Sequence, residues 1–290
     1  MIFGLTGNYR KTEYLEIVAI LVEALRDLGH RCILSDDVMT LKSLQLPQKL
    51  KFLPVEKLAQ ESDIILSIGG DGTILSTARR ISVYVKPILG IHIGGLGFLA
   101  ESTRATMLQA IQYIHEGDYK VEDRMMLELK FGSSNGSGEV YQALNDIVID
   151  HGHSGRVLKT EIMVSGNYLN TYESDGIIFS TPTGSTAYSL SAGGPIITPT
   201  IDTITVTPIC PHSLSARPII LPASEIISAS FAEEYEGIAC TVDGQIRLAM
   251  KDTTQLELSK SNKTIPLISL PGNNYFMTLR TKMGWTGNIR

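Results

Sequence analysis

The chain has 290 residues, of which 43% are hydrophobic and 19% are charged, and its formal net charge at pH 7 is −5. This composition supports a packed core and excludes wholesale disorder, while the lack of a long Lys/Arg run argues against nucleic acid or a membrane surface as a partner. Cys32, Cys210 and Cys240 form no CxxC pair, as expected of reduced cytoplasmic thiols. The first residues show no signal peptide, and no apolar run approaches the ~20 residues that span a bilayer. We therefore expect a cytoplasmic protein.

The first part of the chain alternates between strand and helix patterns. Residues 2–6 form a short apolar run typical of a strand, and apolar residues then recur at helical spacing from 15 to 25 until Gly29 provides a stop signal. Further apolar, β-branched runs predict strands at 31–35, 63–68 and 87–93. This alternation predicts a parallel sheet covered by helices on both faces, and therefore a Rossmann-like α/β domain at residues 1–120.

The pattern changes near residue 120. Residues 127–131 and 256–258 alternate with period two, and the pairs Gly166-Asn167 and Asp243-Gly244 stand between apolar runs, as hairpin turns do. We therefore predict a mostly antiparallel, β-sandwich-like domain at residues 121–265, with a polar loop at 133–138. The C-terminal tail, 266–290, carries several aromatic side chains and is predicted to return to the first domain. The predicted fold class is thus α/β plus all-β.

A glycine-rich motif, GGDGT at residues 69–73, follows the predicted strand at 63–68 and opens a helical pattern. A strand, a glycine turn and a helix N-terminus form a good anion site, because the backbone N–H groups and the helix dipole favour negative charge. Thr73 is the predicted N-cap. Asp71 is unexpected beside a phosphate, so it fits either a carboxylate that shares a divalent cation with phosphates or a base that takes a proton from an attacking hydroxyl. An aspartate that only stabilises a tight turn is the alternative.

A second motif, TPTGSTAYSLSAGGP at residues 181–195, follows a short predicted strand. Its hydroxyl and backbone N–H groups suit ribose and phosphate oxygens, and the ring of Tyr188 suits a nucleobase. Ser185 or Thr186 is predicted to cap a short helix that starts at Ala187, and a capped turn without a ligand is the alternative. The glycine-rich segment 94–98 lacks the spacing of a dinucleotide fingerprint and is predicted to form a second backbone wall of the same cleft.

Together, GGDGT and the 181–195 motif resemble the NAD kinases, the ATP-dependent enzymes that phosphorylate NAD to NADP. Residues 143–146 (ALND), 207–218 (TPICPHSLSARP) and 243–245 (DGQ) resemble further blocks of that family in the same order. The resemblance implies an active site between an α/β domain and a β-rich domain, with ATP and NAD as substrates and a divalent cation, Mg²⁺, as cofactor. It also implies assembly into a homodimer or homotetramer.

The resemblance also implies roles for individual residues. Asp71 matches the general base for the 2′-hydroxyl of the adenosine ribose, and Asn145 and Asp146 match the pair that holds ribose hydroxyls. Many relatives have Glu at the position of Asp146, and many bacterial relatives have a basic residue at the position of Glu173. The positions implied for dinucleotide binding are Gly72, Phe98, Asn145, Asp146, Arg156, Asp175, Thr186, Ala187, Tyr188, Ser189, Leu190, Ser191 and Gln245.

Two other functions are compatible with parts of this pattern. A lipid kinase of the diacylglycerol or sphingosine type shares GGDGT, but it needs an apolar acceptor pocket, whereas the hydroxyl-rich 181–195 motif favours a polar acceptor. A non-catalytic NAD or NADP sensor would bind the dinucleotide but could dispense with Asp71. His151 and His153 stand at strand spacing without a clear third ligand, so we predict no metal site held by protein side chains alone.

Overall fold

The computed structural model describes residues 1–37, 50–95, 97–131, 139–231, 237–250 and 255–285. The chain divides into two compact units: unit 1 consists of Met1–Asp123 and Ile265–Arg290, and unit 2 consists of Arg124–Thr264. The C-terminal segment thus belongs with the N-terminal part of the chain. The polar loop predicted at 133–138 lies outside the described residues. Within the described residues, no helix combines the length and the apolar character needed to cross a bilayer.

The sheet of unit 1 is parallel, as the strand–helix alternation predicts. Its strands lie in the order β3-β2-β1-β4-β5, and the short β6 pairs with the end of β5. The chain therefore runs in opposite directions across the sheet on the two sides of the β1/β4 pair, and ligand sites in open α/β sheets lie at such a switch point, outside the carboxyl ends of the strands. The bounds are β1 Ile2–Gly7, β2 Arg31–Ser35, β3 Lys51–Leu53, β4 Ile64–Gly69, β5 Ile88–His92 and β6 Ser102–Thr103.

Helices cover both faces of this sheet. On one face, α1 and α4 bury their apolar sides in the core that also contains Phe3 and Leu5 of β1. On the other face, α2 approaches the backbone of β1 so closely that a Cβ atom on Gly4 would lie 2.3 Å from Cδ2 of Leu58. The first four helices are α1 Tyr14–Asp27, α2 Val55–Glu61, α3 Asp71–Ile81 and α4 Met107–Glu116.

Unit 2 is built from two sheets that share one hydrophobic core. The first has the antiparallel order β14-β13-β12-β9-β16-β17. The second has the order β11-β10-β15-β18, and β7 pairs with β18 and β8. Side chains of both sheets, such as Leu127, Ile149 and Leu258, belong to a single core cluster, which confirms the sandwich-like prediction.

The remaining elements have the following bounds. The strands are β7 Lys120–Phe131, β8 Glu139–Ala143, β9 Asp146–Asp150, β10 Leu158–Val164, β11 Asn167–Ser174, β12 Gly176–Ser180, β13 Thr203–Ile209, β14 Ile219–Pro222, β15 Ile227–Phe231, β16 Ala239–Val242, β17 Ile246–Ala249 and β18 Leu256–Ser269. The helices are α5 Tyr188–Ser191 and α6 Tyr275–Met283. The last residues of β18 lie in unit 1, where Leu267 pairs with Ile88 of β5.

One of the two predicted hairpin turns is confirmed and the other is shifted. Asp243 and Gly244 both have positive φ, 50° and 65°, and they connect β16 to β17 as predicted. The turn between β10 and β11 is Ser165–Gly166, not Gly166-Asn167, because Ser165 and Gly166 take the positive φ values of 46° and 79°. Asn167 is instead the first residue of β11 and pairs with Val164.

Strand β9 has one face in the core of unit 2 and the other face turned away from that core. Successive side chains of a strand point to opposite faces, so Ile147 and Ile149 enter the core while Asp146, Val148 and Asp150 share the other face. This alternation turns two carboxylates of one short strand away from the core. The face that they occupy forms the floor of the cavity described below.

We expect Ile149→Ala to lower the free energy of unfolding by about 2–5 kcal/mol, because Ile149 is fully buried and its truncation leaves a cavity. Urea denaturation of the wild type and the variant measures this change. Val140→Ala is the control, since Val140 on β8 is 54% exposed and its loss should change the free energy by about 0.5 kcal/mol at most. Equal losses in the two variants would contradict the assignment of Ile149 to the core.

Candidate functional site

The GGDGT motif joins β4 to α3 at the switch point of the parallel sheet. Gly70 is the N-cap with an extended backbone, and α3 begins at Asp71. The prediction that Thr73 is the N-cap was wrong, because the helix starts three residues earlier than that cap implies and Thr73 is its third residue. Its hydroxyl accepts a hydrogen bond from the backbone N–H of Gly70 at 3.4 Å. Gly69 leaves room for this contact, since a Cβ atom there would lie 2.3 Å from Oγ1 of Thr73.

The carboxylate of Asp71 is fixed by the second glycine-rich segment. Its Oδ2 accepts a hydrogen bond from the backbone N–H of Phe98 at 2.8 Å, and its Oδ1 accepts one from Leu99 at 3.3 Å. Gly97 allows this approach, because a Cβ atom at that position would lie 1.9 Å from Oδ1. Asp71 is therefore the first residue of a helix, where the dipole favours negative charge, and not merely a residue that stabilises a tight turn.

His92 also lies beside the GGDGT turn, although the sequence analysis did not single it out. It ends β5, and its Nδ1 accepts a hydrogen bond from the N–H of Gly94 at 2.9 Å. A Cβ atom on Gly70 would lie 3.5 Å from its Nε2. Its position, at the end of a buried parallel strand and directly before the second glycine-rich segment, is the signal that could have identified it.

Unit 1 also contains a cavity of about 230 Å³ beside α3. Its walls come from the end of β1, from one side of α3 and from residues near β2 and α2. Arg80 lies at this cavity and forms ion pairs with Asp37 and Glu56 at 3.2 and 3.0 Å. The lining consists of Thr6, Gly7, Tyr9, Asp37, Val55, Thr73, Ser76, Thr77 and Arg80.

A larger cavity of about 370 Å³ lies in unit 2. Its floor is the outward face of β9, β16 and β17, and its wall includes the start of α5. Four residues of the predicted site line it together: Asn145, Asp146, Ala187 and Tyr188. The sequence analysis gave no binding role to the other lining residues, which are Val148, Asp150, Thr241, Asp243, Gly244 and Arg247.

Asp243 holds the loop that carries Asn145 and Asp146. Its buried carboxylate accepts hydrogen bonds from the backbone N–H groups of Leu144 at 3.1 Å, Asn145 at 2.7 Å and Asp146 at 3.3 Å. From the other side, Thr181 donates its hydroxyl to the carbonyl of Leu144 at 2.6 Å and its N–H to the carbonyl of Asn145 at 2.9 Å. The ALND, TPTGST and DGQ blocks are thus hydrogen-bonded to one another.

This arrangement leaves one polar atom of the cavity unsatisfied. The Oδ1 atom of Asn145 is buried and has no hydrogen-bond partner among the described residues. Burying an amide oxygen without a partner costs about 1–3 kcal/mol, so this atom of a cavity-lining residue is a candidate acceptor for a donor supplied by a ligand. A ribose hydroxyl or an amino group has the required chemistry.

Asp146 is 4% exposed and lies next to the carboxylate of Asp243. Burial and the charge of Asp243 raise the pKa of Asp146 from its ordinary value of 3.8 to about 7, although the backbone N–H of Tyr188 acts in the opposite direction. Near neutral pH this carboxyl group is therefore present in both protonation states. It can donate or accept a hydrogen bond at the wall of the cavity.

The predicted caps of the short helix in the second motif were wrong. Residues Thr183–Thr186 form a 3₁₀ turn, and α5 begins at Tyr188 with Ala187 as its N-cap. The hydroxyl of Ser185 is instead buried, where it donates to the carbonyl of Pro182 at 2.7 Å and accepts from the N–H of Ile197 at 3.0 Å. Because of these hydrogen bonds, the hydroxyl of Ser185 is not available to cap α5. Tyr188 remains 47% exposed at the cavity.

The other positions implied for dinucleotide binding do not line the unit 2 cavity. Ser189 is fully buried, and its hydroxyl shares a hydrogen bond with that of Thr207 at 3.0 Å. Arg156 is exposed, and its N–H donates to Ser154 at 3.3 Å. Their roles stay predictions, as do those of the remaining positions: Gly72 and Phe98 in unit 1, and Asp175, Thr186, Leu190, Ser191 and Gln245 in unit 2.

We expect Asp243→Ala to lower the free energy of unfolding by at least about 2 kcal/mol, because three backbone N–H groups lose their charged acceptor. Asp243→Asn should cost less, since asparagine also tolerates positive φ and keeps one acceptor oxygen. Urea denaturation of both variants measures the difference. Equal stability of the two variants would show that the carboxylate does not hold the loop.

We expect the contribution of Asp146 to the free energy of unfolding to fall as the pH rises from about 4 to about 7. In this range the folded protein retains a proton on Asp146 that the unfolded chain has released, so deprotonation favours unfolding. Asp146→Asn does not titrate at this position and should flatten the dependence of unfolding free energy on pH. Chemical denaturation at several pH values tests this, and an unchanged slope in the variant would contradict it.

Comparison with known proteins gives the same assignment for both parts of the chain. The ATP-NAD kinase N-terminal domain family matches residues 3–119, and the ATP-NAD kinase C-terminal domain family matches residues 144–270. An NAD kinase of Caldanaerobacter subterraneus is 37% identical over 280 residues, which cover 97% of this chain and 98% of that protein. An NAD kinase of Geotalea daltonii is 40% identical over 230 residues, or 79% of this chain and 81% of that protein.

Solved structures agree with this result. The crystal structure of yeast NADH kinase complexed with NADH is 27% identical and has a TM-score of 0.85, covering 100% of this chain and 89% of that one. An NAD kinase from Archaeoglobus fulgidus in complex with ATP shares the fold, with a TM-score of 0.76 at 23% identity over 99% of this chain. These similarities confirm the predicted fold class and the resemblance seen in the sequence motifs. This chain belongs to the ATP-NAD kinase family.

Proposed function

We propose that this protein transfers the terminal phosphoryl group of ATP to the 2′-hydroxyl of the adenosine ribose of NAD, and that Asp71 is the general base. The observation that carries the proposal is the placement of Asp71 in a chain of this family. It is the first residue of α3 at the switch point of the sheet, and backbone N–H groups fix both of its carboxylate oxygens. Such a fixed carboxylate is suited to accept a proton from a positioned hydroxyl.

The unit 2 cavity is the proposed binding site for the dinucleotide. Its volume of about 370 Å³ suits a nucleoside-sized part of the ligand. The unsatisfied Oδ1 of Asn145 and the carboxyl group of Asp146 supply an acceptor and a titratable partner for ribose hydroxyls. The exposed ring of Tyr188 offers an apolar face for a base.

The donor would bind beside α3 in unit 1. The N-terminus of α3 and the glycine backbone favour the negative charge of phosphates, and the 230 Å³ cavity adjoins the same helix. In the proposed reaction the 2′-oxygen attacks the terminal phosphorus, the bond to the ADP oxygen breaks, and Asp71 takes the hydroxyl proton as the new bond forms. Rate acceleration then comes mainly from positioning and from the neutralisation of phosphate charge.

Magnesium ion is the proposed cofactor. No group of three or more His, Cys, Asp or Glu side chains is placed to hold a metal in the described part of the chain. Mg²⁺ normally keeps water and phosphate ligands and takes only one or two carboxylates, so the phosphates of ATP would supply most of its ligands. When bound, the ion would neutralise the charge of the transferred group.

We make two further proposals, about the location of the protein and about its assembly. We propose that it acts in the cytoplasm, since the sequence pattern favours reduced cysteines. We also propose that it assembles as a homodimer or homotetramer, as its resemblance to the NAD kinases implies. Analytical ultracentrifugation of the purified chain distinguishes these oligomers from a monomer.

A coupled assay tests the proposed reaction. The purified chain is incubated with ATP, Mg²⁺ and NAD, and NADP is detected with an NADP-specific dehydrogenase. Parallel reactions contain NADH or diacylglycerol as acceptor, or polyphosphate as donor. We expect NADP from NAD and ATP and no phosphorylated diacylglycerol. Absence of NADP, despite binding of both substrates, would leave a dinucleotide sensor as the remaining interpretation.

We expect Asp71→Asn to lower kcat by roughly 10²–10⁴-fold while the fold persists, because the amide cannot accept the hydroxyl proton but can still accept a hydrogen bond from Phe98. Steady-state kinetics and thermal unfolding of the same sample measure the two quantities. Asp27→Asn, at the exposed end of α1, is the control and should keep wild-type kcat. Turnover by Asp71→Asn at the wild-type rate would remove Asp71 from the chemistry.

A further inference from the structure

Arg247 occupies an unusual electrostatic position in unit 2. The ten residues that line the 370 Å³ cavity all lie in the described part of the chain, and Arg247 is the only Lys or Arg among them. The same lining contains three carboxyl groups, those of Asp146, Asp150 and Asp243. A cavity that admits an anion needs these negative charges to be compensated, because uncompensated like charges oppose binding.

The negative charge of each carboxyl group is reduced or compensated in a different way. Asp243 accepts three backbone N–H groups, and burial favours the neutral form of Asp146. Asp150 forms a two-point ion pair with Arg247, with distances of 3.1 Å from Nη1 to Oδ2 and 2.9 Å from Nη2 to Oδ1. The floor of the cavity is therefore less negative than its composition suggests.

The guanidinium group of Arg247 is held in one orientation. Arg247 on β17 stands opposite Thr241 on β16, which in turn stands opposite Val148 on β9. Its Nη1 also donates to the hydroxyl of Thr241 at 3.1 Å. Asp150 is itself anchored, since its Oδ1 accepts the N–H of Gly152 at 2.7 Å. Two-point contact with an anchored carboxylate fixes the plane of the guanidinium.

Two of the five N–H donors of Arg247 remain available. Asp150 takes one hydrogen from Nη1 and one from Nη2, and Thr241 takes the second hydrogen of Nη1. The N–H of Nε and the second N–H of Nη2 have no partner among the described residues. These two bonds lie on the same edge of the guanidinium and are nearly parallel, which matches two oxygens of one phosphate group. The side chain is 52% exposed, so it is not enclosed by the protein.

We propose that Arg247 binds a phosphate group of the dinucleotide through its Nε and Nη2 edge, and that Asp150 is a positioning residue for this contact. The identity of the ligand rests on the proposed function. The resemblance to the NAD kinases assigned no role to either residue, whereas the cavity, the ion pair and the free donor edge point to this one.

Calorimetric titration with NAD, without ATP, tests the proposal. We expect Arg247→Gln to raise the Kd for NAD by at least about tenfold, and Arg247→Lys to raise it by a smaller factor because lysine keeps the charge but not the paired donors. The Kd for adenosine, which has no phosphate, should change by less than about threefold in Arg247→Gln. Lys260→Gln is the matched control, since it removes one positive charge from an ion pair with Asp202 elsewhere in unit 2 and should leave the Kd unchanged.

The double variant Asp150→Asn/Arg247→Gln separates direct contact from simple charge compensation. If Arg247 contacts phosphate, the double variant still binds NAD at least about tenfold more weakly than the wild type. Recovery of wild-type affinity in the double variant would show that Arg247 only neutralises Asp150 and would overturn the proposal. An unchanged Kd in Arg247→Gln would overturn it as well. Failure of the wild type to bind NAD would instead overturn the proposed function, and this inference with it.

Discussion

The buried carboxylate of Asp243 is the interaction on which the unit 2 cavity depends. It satisfies the backbone N–H groups of Leu144, Asn145 and Asp146 at once, and so fixes the loop from which Asn145 and Asp146 enter the cavity wall. Burial, and after it the charge of Asp243, raises the pKa of Asp146 and favours its neutral form. One side chain therefore sets the shape of the wall and contributes to its protonation state. Residues nearly 100 positions apart in the sequence are coupled by three hydrogen bonds.

Unit 1 uses a similar device with a different outcome. Asp71 also accepts backbone N–H groups from a distant segment, in this case Phe98 and Leu99. The two side chains differ in exposure. Asp243 is 6% exposed, whereas Asp71 is half-buried at the start of α3. A buried carboxylate such as Asp243 supports a loop. A fixed but accessible carboxylate keeps lone pairs available for a substrate, as the proposed proton transfer to Asp71 requires.

Local sequence patterns predicted several of the helices and strands but not their exact boundaries. Apolar periodicity identified β1, α1, β2, β4 and β5, since each depends on nearby residues. The helix caps predicted at Thr73 and Ser185 were wrong, because the start of a helix depends on where the preceding turn ends. The sequence pattern also placed the β10–β11 turn one residue too late. The motif resemblance located the family, and its residue roles remain predictions where no contact in the structure bears on them.

The cavity floor could not be derived from local pattern alone. Thr241 and Arg247 belong to the β16–β17 hairpin, but Asp150 on β9 is about 90 residues away in the sequence, and only the pairing of β9 with β16 brings it beside them. The alternation seen in β9 turns Asp150 away from the core, but alternation alone does not identify its partner across the sheet. His92 was missed for a related reason. It ends β5, but the GGDGT turn beside it follows a different strand, β4.

The two-sidedness of β9 has an evolutionary consequence. Its isoleucines secure the fold on one side, while the side chains at 146, 148 and 150 face the cavity on the other. Because the isoleucines fix the strand register, substitutions at 148 and 150 can alter the cavity while the packing of Ile147 and Ile149 in the core is kept. Ligand contacts and core packing thus lie on opposite faces of a stretch of only five residues.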